Sequence, residues 1–168
     1  MIELYKQLVI SQFEAALCML NQCVAACRPE HWEGKIANST FREVAYHTLF
    51  FTDYYLATEA TFELRPLNER GGDERGKTVS QGLDQQDTLA YLAICRQQAI
   101  DVVRGETAES LAGPAGFTRR TCSRAELHVY NIRHVQHHVG QLSAYLRRVD
   151  ESLRDWQALR WVGHGWRD

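Results

Sequence analysis

The sequence predicts an all-α protein, a four-helix bundle, and three observations carry that prediction. Four long segments have apolar residues recurring at three and four, helix-start signals precede three of them, and no run alternates convincingly as a strand would. With 168 residues, the chain suits a single domain over 1–168. A composition of 45% hydrophobic and 24% charged residues with 3 Pro excludes whole-chain disorder. The net charge of -2 offers no broad field for nucleic acid or an anionic bilayer, so neither is an expected partner.

The first helix is expected over about 2–27, with Leu4, Leu8, Phe13, Leu17, Leu20 and Val24 as its stripe. Its start lacks a basic region followed by an unbroken apolar stretch, and no window reaches the roughly 18–20 unbroken apolar residues of a membrane span. Five cysteines, three of them in this first segment, fit small core residues in a reducing cytoplasm better than a disulfide framework. Pro29, Gly34, Asn38 and Ser39 then mark a turn region, and Thr40 with Glu43 forms a capping box that opens a second helix over about 40–62.

The stretch from Arg65 to Leu83, with Gly71, Gly72, Gly76 and Gly82 among mixed charges, reads as a long mobile connection between the second and third helices. Asp84 caps a third helix over about 85–104, with Leu89, Leu92, Ala93, Ala99 and Val103 inward and Gly105 as its stop. Ser123 and Glu126 form a second capping box, which opens a fourth helix over about 124–149. The C-terminal extension, 150–168, holds Trp156, Trp161 and Trp166 and is long enough for one further short helix or a contact surface.

The fourth helix concentrates the chemistry. On a 3.6-residue wheel, His134 and His138 flank the apolar face defined by Ile132, Val135, Val139, Leu142 and Leu146, whereas Arg133, Gln136, Gly140, Ala144 and Arg147 lie opposite. Imidazoles at i and i+4 overlie one another and can converge on one ion. His47, on the face of the second helix that carries Val44, Phe51 and Tyr54, supplies a third candidate ligand. Each could instead be a core histidine satisfied by hydrogen bonds, although burying three together leaves several ring nitrogens in need of partners.

Around this set, Asn131, His137, Gln141 and Asp53 are candidates for supporting contacts, Gln141 by a bond between helices, and Tyr54 for lining the site. Arg119, Arg120 and Arg124 form a basic cluster that could receive carboxylates or be a solvated run. Cys23, Cys27 and His31, at i, i+4 and i+8, form a rival metal set that Pro29 interrupts. No residue is singled out as catalytic.

His47 and the run His134-Val135-Gln136-His137-His138-Val139-Gly140-Gln141-Leu142, followed by Tyr145-Leu146-Arg147, resemble the DinB-like (YfiT-type) superfamily, whose pattern there is H-x-x-H-H-x-G-Q and then Leu-Arg. Val139 stands where the family commonly has Arg. The resemblance implies a divalent metal, often nickel or zinc, held by His47, His134 and His138. Relatives include transferases using low-molecular-weight thiols such as mycothiol or bacillithiol and a thiol-dependent isomerase. The implied activity is therefore a metal-dependent thiol S-transferase, or a related hydrolase or isomerase, acting on a small electrophilic substrate as a cytoplasmic homodimer. The alternative is a non-catalytic bundle with a structural metal, working through oligomerisation or partner binding.

Overall fold

The computed structural model describes residues 1–75, 82–155 and 157–167. In chain order it consists of α1 (Ile2–Ala26), α2 (Pro29–Trp32), a hairpin of β1 (Lys35–Ile36) and β2 (Ser39–Thr40), α3 (Phe41–Leu56), α4 (Pro66–Gly71), α5 (Gln85–Gly105), α6 (Ala108–Ala112) and α7 (Arg124–Val149). The long helices α1 and α3 each pack against both α5 and α7, which makes an all-α four-helix bundle with α1 diagonal to α3. Its core is built from fully buried Phe13, Leu17, Phe50, Tyr91, Leu92 and Leu142, with contributions from all four helices.

Both predicted capping boxes form. Glu43 accepts from the Thr40 backbone N–H at 2.7 Å and Glu126 from that of Ser123 at 2.9 Å, and each cap hydroxyl accepts in return. Asp84 caps α5 through the Asp87 N–H at 2.8 Å. The inward stripes differ from the expected ones in detail. Leu4 and Leu8 are exposed, because on the wheel they fall about half a turn from Phe13, Leu17, Leu20 and Val24, and Val9 is buried in their place. Ala93 is exposed too, and Tyr91 and Cys95 fill that face of α5.

By length and composition α1 could cross a membrane, with a mean hydropathy of 1.4 over its best window, but half of that window is buried against the bundle, as in a core helix.

The second helix ends at Leu56 rather than near 62. A distant segment stops it: the Glu59 N–H bonds the Gly116 carbonyl at 2.9 Å, and the Glu59 carboxylate accepts from Thr118. Gly116 has φ +84, and a Cβ there would lie 2.8 Å from Thr58, so only glycine allows this approach. The exposed carbonyls are taken up by Arg124. Its Nη1 donates to Tyr55 and Ala57 at 2.9 and 2.8 Å and its Nη2 to Leu56 at 2.5 Å, while its Nε pairs with Glu106 at 2.9 Å. Arg124 is thus a buried helix cap, not part of a surface basic cluster; Arg119 alone of the three arginines is exposed.

The connection after α3 is built, not loose, as far as residue 75. Asp53, almost fully buried, takes both oxygens to Arg65 at 2.5 and 2.9 Å and accepts from Tyr91 at 3.0 Å. Asn68 donates to the Tyr46 hydroxyl at 2.8 Å, and Tyr46 donates to the Gly72 carbonyl. These bonds fasten α4 and the following residues to α3 and α5. Gly76 lies outside the described residues.

After a 3-10 turn at Glu151–Leu153 the tail is irregular, interrupted by Gly163 and by Gly165 at φ +62, yet it docks on α1. Val162 packs on Ala15 and Cys18, and Trp166 lies under the Arg96 guanidinium at 4.2 Å. Trp161 is exposed, and Trp156 lies outside the described residues.

Replacing Arg124 by Ala takes the guanidinium from the Glu106 carboxylate, which keeps only Ser110 and His128, and strands three helix-end carbonyls. Equilibrium denaturation of Arg124→Ala should show a loss of about 3–5 kcal/mol, against about 0.5 kcal/mol or less for Arg119→Ala.

A second expectation concerns pH. Burial, and then the charge of Arg124, hold the His128 imidazole below its ordinary value despite its bond to Glu106. The unfolded chain therefore takes up a proton at His128 before the folded one does. That stability is complete above the ordinary value of 6.5 and is lost as pH falls below it. Between pH 7.5 and 5 the melting temperature of the metal-free protein should fall less in His128→Gln than in wild type.

Candidate metal centre

The seam between α3 and α7 is where the three predicted histidines meet. His47 projects from the middle of α3, and His134 and His138 lie one turn apart on α7. Ring centroids of His47 lie 5.5 Å from His134 and 5.0 Å from His138, and one ring nitrogen from each residue falls within 4.8 Å of the other two. The Nε2 atoms of His134 and His138 are 3.1 Å apart, a separation that two nitrogens each about 2.0–2.1 Å from a shared ion can take. Phe51 closes one side, with its ring 4.8 Å from His47 and 6.0 Å from His134.

The outer nitrogens decide which atoms face inward. His138 donates from Nδ1 to Gln141 Oε1 at 2.8 Å, and His47 from Nδ1 to the Glu74 carboxylate at 3.2 Å. With the proton on Nδ1, each of these rings turns a bare Nε2 lone pair to the cluster. The Nδ1 of His134 is buried and has no partner among the described residues in either tautomer. Its Nε2 either donates to the Nε2 of His138, 3.1 Å away, or, with the proton on Nδ1, sets its lone pair against that of His138. A cation among the three Nε2 atoms removes the conflict between facing lone pairs, so the donor set fits a divalent metal.

The electrostatics agree. Burial, followed by the neighbouring His138, His47, His137 and Arg120, pushes the His134 pKa down to about 3. His138 is also lowered, chiefly by burial, which outweighs the bond to Gln141. Both rings are therefore neutral at physiological pH, the form in which imidazole ligates.

The supporting residues divide. Gln141 does hold a ligand, but within its own helix and not between helices. His137 is exposed and meets only the edge of the His138 ring, 5.0 Å between centroids. Asn131 is buried and spends its amide N–H on the Thr52 carbonyl at 3.0 Å, tying α7 to α3 just below the cluster. Asp53 does not support His47. Six residues further along α3, its side chain turns toward α5 and Arg65. Tyr54 packs on Phe62 and Phe117 rather than on a ligand. Arg120 stacks on Tyr130 at 4.4 Å and donates to the hydroxyls of Tyr55 and Tyr130.

The rival set fails. Cys23, Cys27 and His31 do not assemble into such a group, and the three histidines are the cluster of this kind found among the described residues; burial raises the Cys23 and Cys27 thiols to about 12, as in small core residues.

Glu74 is the residue that sequence reasoning missed. It lies in a glycine-rich stretch of alternating charge without period, where nothing separates it from a solvated acid. A cavity of about 590 Å³ opens beside it, lined also by Arg42, Tyr46, His47, His138 and Gln141.

A helical bundle whose two facing helices bring three histidines together beside an accessible cavity has a group that could hold a metal ion. The chain belongs to the DinB superfamily, whose family model matches residues 12–142, a span that contains all three histidines. No curated protein and no solved structure matches it. At the position where the family commonly carries Arg, Val139 is buried in the core.

Glu74→Ala should weaken divalent-metal affinity by about 10–100-fold, measured by competition with a chelating dye. Glu74→Gln should lose less, because an amide oxygen still accepts from His47 Nδ1.

Proposed function

We propose that the protein is a divalent-metal-dependent enzyme, with nickel or zinc at His47, His134 and His138, that directs a low-molecular-weight thiol or a water onto a small electrophilic substrate. The observation that carries this reading is the convergence of three imidazole nitrogens beside a cavity of about 590 Å³. Such an ion, when bound, supplies a Lewis acid that lowers the pKa of a coordinated thiol or water. A closed structural site would draw a fourth ligand from the protein. The described residues bring three His, Cys, Asp or Glu ligands together and leave the fourth side to the cavity.

The chain's own residues have distinct tasks. Glu74 and Gln141 keep the protons of His47 and His138 on Nδ1, so that both Nε2 atoms stay available. Phe51 and Tyr55 pack around His134 and exclude water from its buried side. Arg42, paired with Glu33 at 2.6 Å, lines the cavity together with Glu43 and Glu74.

We take the protein to act in the cytoplasm, where its five free cysteines stay reduced. We also take it to act as a homodimer, for which exposed Leu4 and Leu8 on α1 offer an apolar contact. Neither nucleic acid nor membrane is part of this reading.

Elemental analysis of wild type beside a His134→Ala/His138→Ala variant is the direct test. Near-stoichiometric nickel or zinc in wild type and its loss in the variant is expected; equal residual metal in both would sink the metal site. Metal-loaded wild type should then consume a model electrophile with at least one low-molecular-weight thiol, and the double variant should not. Metal binding without any such turnover would favour the structural-metal alternative.

A further inference from the structure

We propose that the groove between α1, α7 and the C-terminal tail binds a small oxyanion, a carboxylate or phosphate carried on a compact molecule, through Arg147 and Arg160. The site is separate from the histidines. Gln136, Gly140, Ser143 and Arg147 recur at four, three and four along α7 and so form one stripe, about half a turn from His134 and His138. A cavity of about 220 Å³ lies over that stripe and is walled on the far side by Leu159, Arg160 and Trp161 of the tail. A second cavity of about 270 Å³ shares Gln22, Arg160 and Trp161 with it and adds Arg167.

The groove is rich in donors and poor in acceptors. Arg147 gives Nη2 to the Leu159 carbonyl at 2.8 Å, but its Nε–H is buried with no partner among the described residues. The exposed Arg160 guanidinium makes no hydrogen bond or ion pair with the described residues, although its backbone N–H bonds Gln22 Oε1 at 2.8 Å. The side-chain amides of Gln136 and Gln22 find only sulfur, Met19 Sδ at 3.8 Å and Cys18 Sγ at 3.9 Å. No Asp or Glu lines either cavity among the described residues, in a protein whose acids outnumber its Lys and Arg.

Buried donors without acceptors are costly, and elsewhere in this chain guanidinium groups such as Arg65 and Arg124 are fully paired. An oxyanion answers this set, because a guanidinium binds the two oxygens of a carboxylate or phosphate in one plane. At about 30 Å³ per water, the first cavity holds roughly seven water equivalents, room for a compact molecule. Trp161, exposed at the rim, offers a flat apolar surface to whatever carries the charge. Arg147 is also the arginine of the Leu-Arg pair that ends the fourth-helix motif, and the metal centre makes no use of it.

The test is a titration of the full chain with sodium phosphate and, separately, sodium acetate at constant ionic strength, with sodium chloride as control. Tryptophan fluorescence and the thermal midpoint are followed. A saturable response to phosphate, acetate or both is expected, and the tighter of the two identifies the group recognised. Arg160→Gln, which removes an unpaired exposed cation, should weaken it at least about tenfold, and Trp161→Phe should diminish the fluorescence change. Arg147→Gln is the less informative variant because it also loses the tail anchor at Leu159. The response should persist after chelation and in His134→Ala/His138→Ala, which separates it from anion binding at the metal. No saturable response, an unchanged response in Arg160→Gln, or its disappearance with the metal would each overturn the proposal.

Discussion

Three imidazoles pressed together in the α3–α7 seam impose the constraint to which the surrounding structure answers. Without an ion they bring little attraction: His134 and His138 can share one hydrogen bond, but the rings are desolvated, and the partnerless buried Nδ1 of His134 costs about 1–3 kcal/mol. The seam must therefore be held by other means, and it is. Asn131 bonds across to the Thr52 carbonyl below the cluster, Arg124 clamps the end of α3 to the start of α7, and Phe51 and Tyr55 fill the space between. The three rings are thus held in place by the bundle itself, so an ion bound there would not have to order them.

The connection after α3 follows from the same requirement. His47 needs an acceptor at Nδ1, and that acceptor comes from a segment without an apolar stripe of its own. Its order is borrowed. Arg65 on Asp53, Asn68 on Tyr46 and Tyr46 on Gly72 bind residues 65–72 to the bundle by buried polar contacts. Gly71 lets the Tyr46 ring approach where a Cβ would collide with it at 2.1 Å. Glu74, two residues beyond, is in this way delivered to the edge of the site.

How much of this could be read from the sequence depends on the distance over which each feature is determined. Helix starts were legible at Thr40, Asp84 and Ser123 because a cap is settled within four residues. The ligand pair on α7 was legible because i, i+4 spacing is local, and His47 because its face was apolar. The end of α3 was not, since Arg124 and Gly116, about sixty residues away, impose it. Asp53 misled because closeness in sequence to His47 is not closeness on a helix. Glu74 was invisible because its role comes from a fold-wide polar network and not from any pattern around it.

Helix α7 also shows how one helix can serve two electrostatic purposes. Its 3.6-residue period sends His134 and His138 to α3 and sends Gln136, Gly140, Ser143 and Arg147 to the groove under the tail. Between those faces lie Val135, Val139 and Leu142, buried and apolar, so a cation held by the histidines would be divided from the arginines of the groove by a core layer instead of water. In such a low-dielectric partition like charges repel strongly unless each is neutralised where it sits. Glu74 and the open cavity provide for that on the α3 side. On the tail side no protein acid among the described residues lines the groove, and the arginines there are balanced only by what binds them from solution.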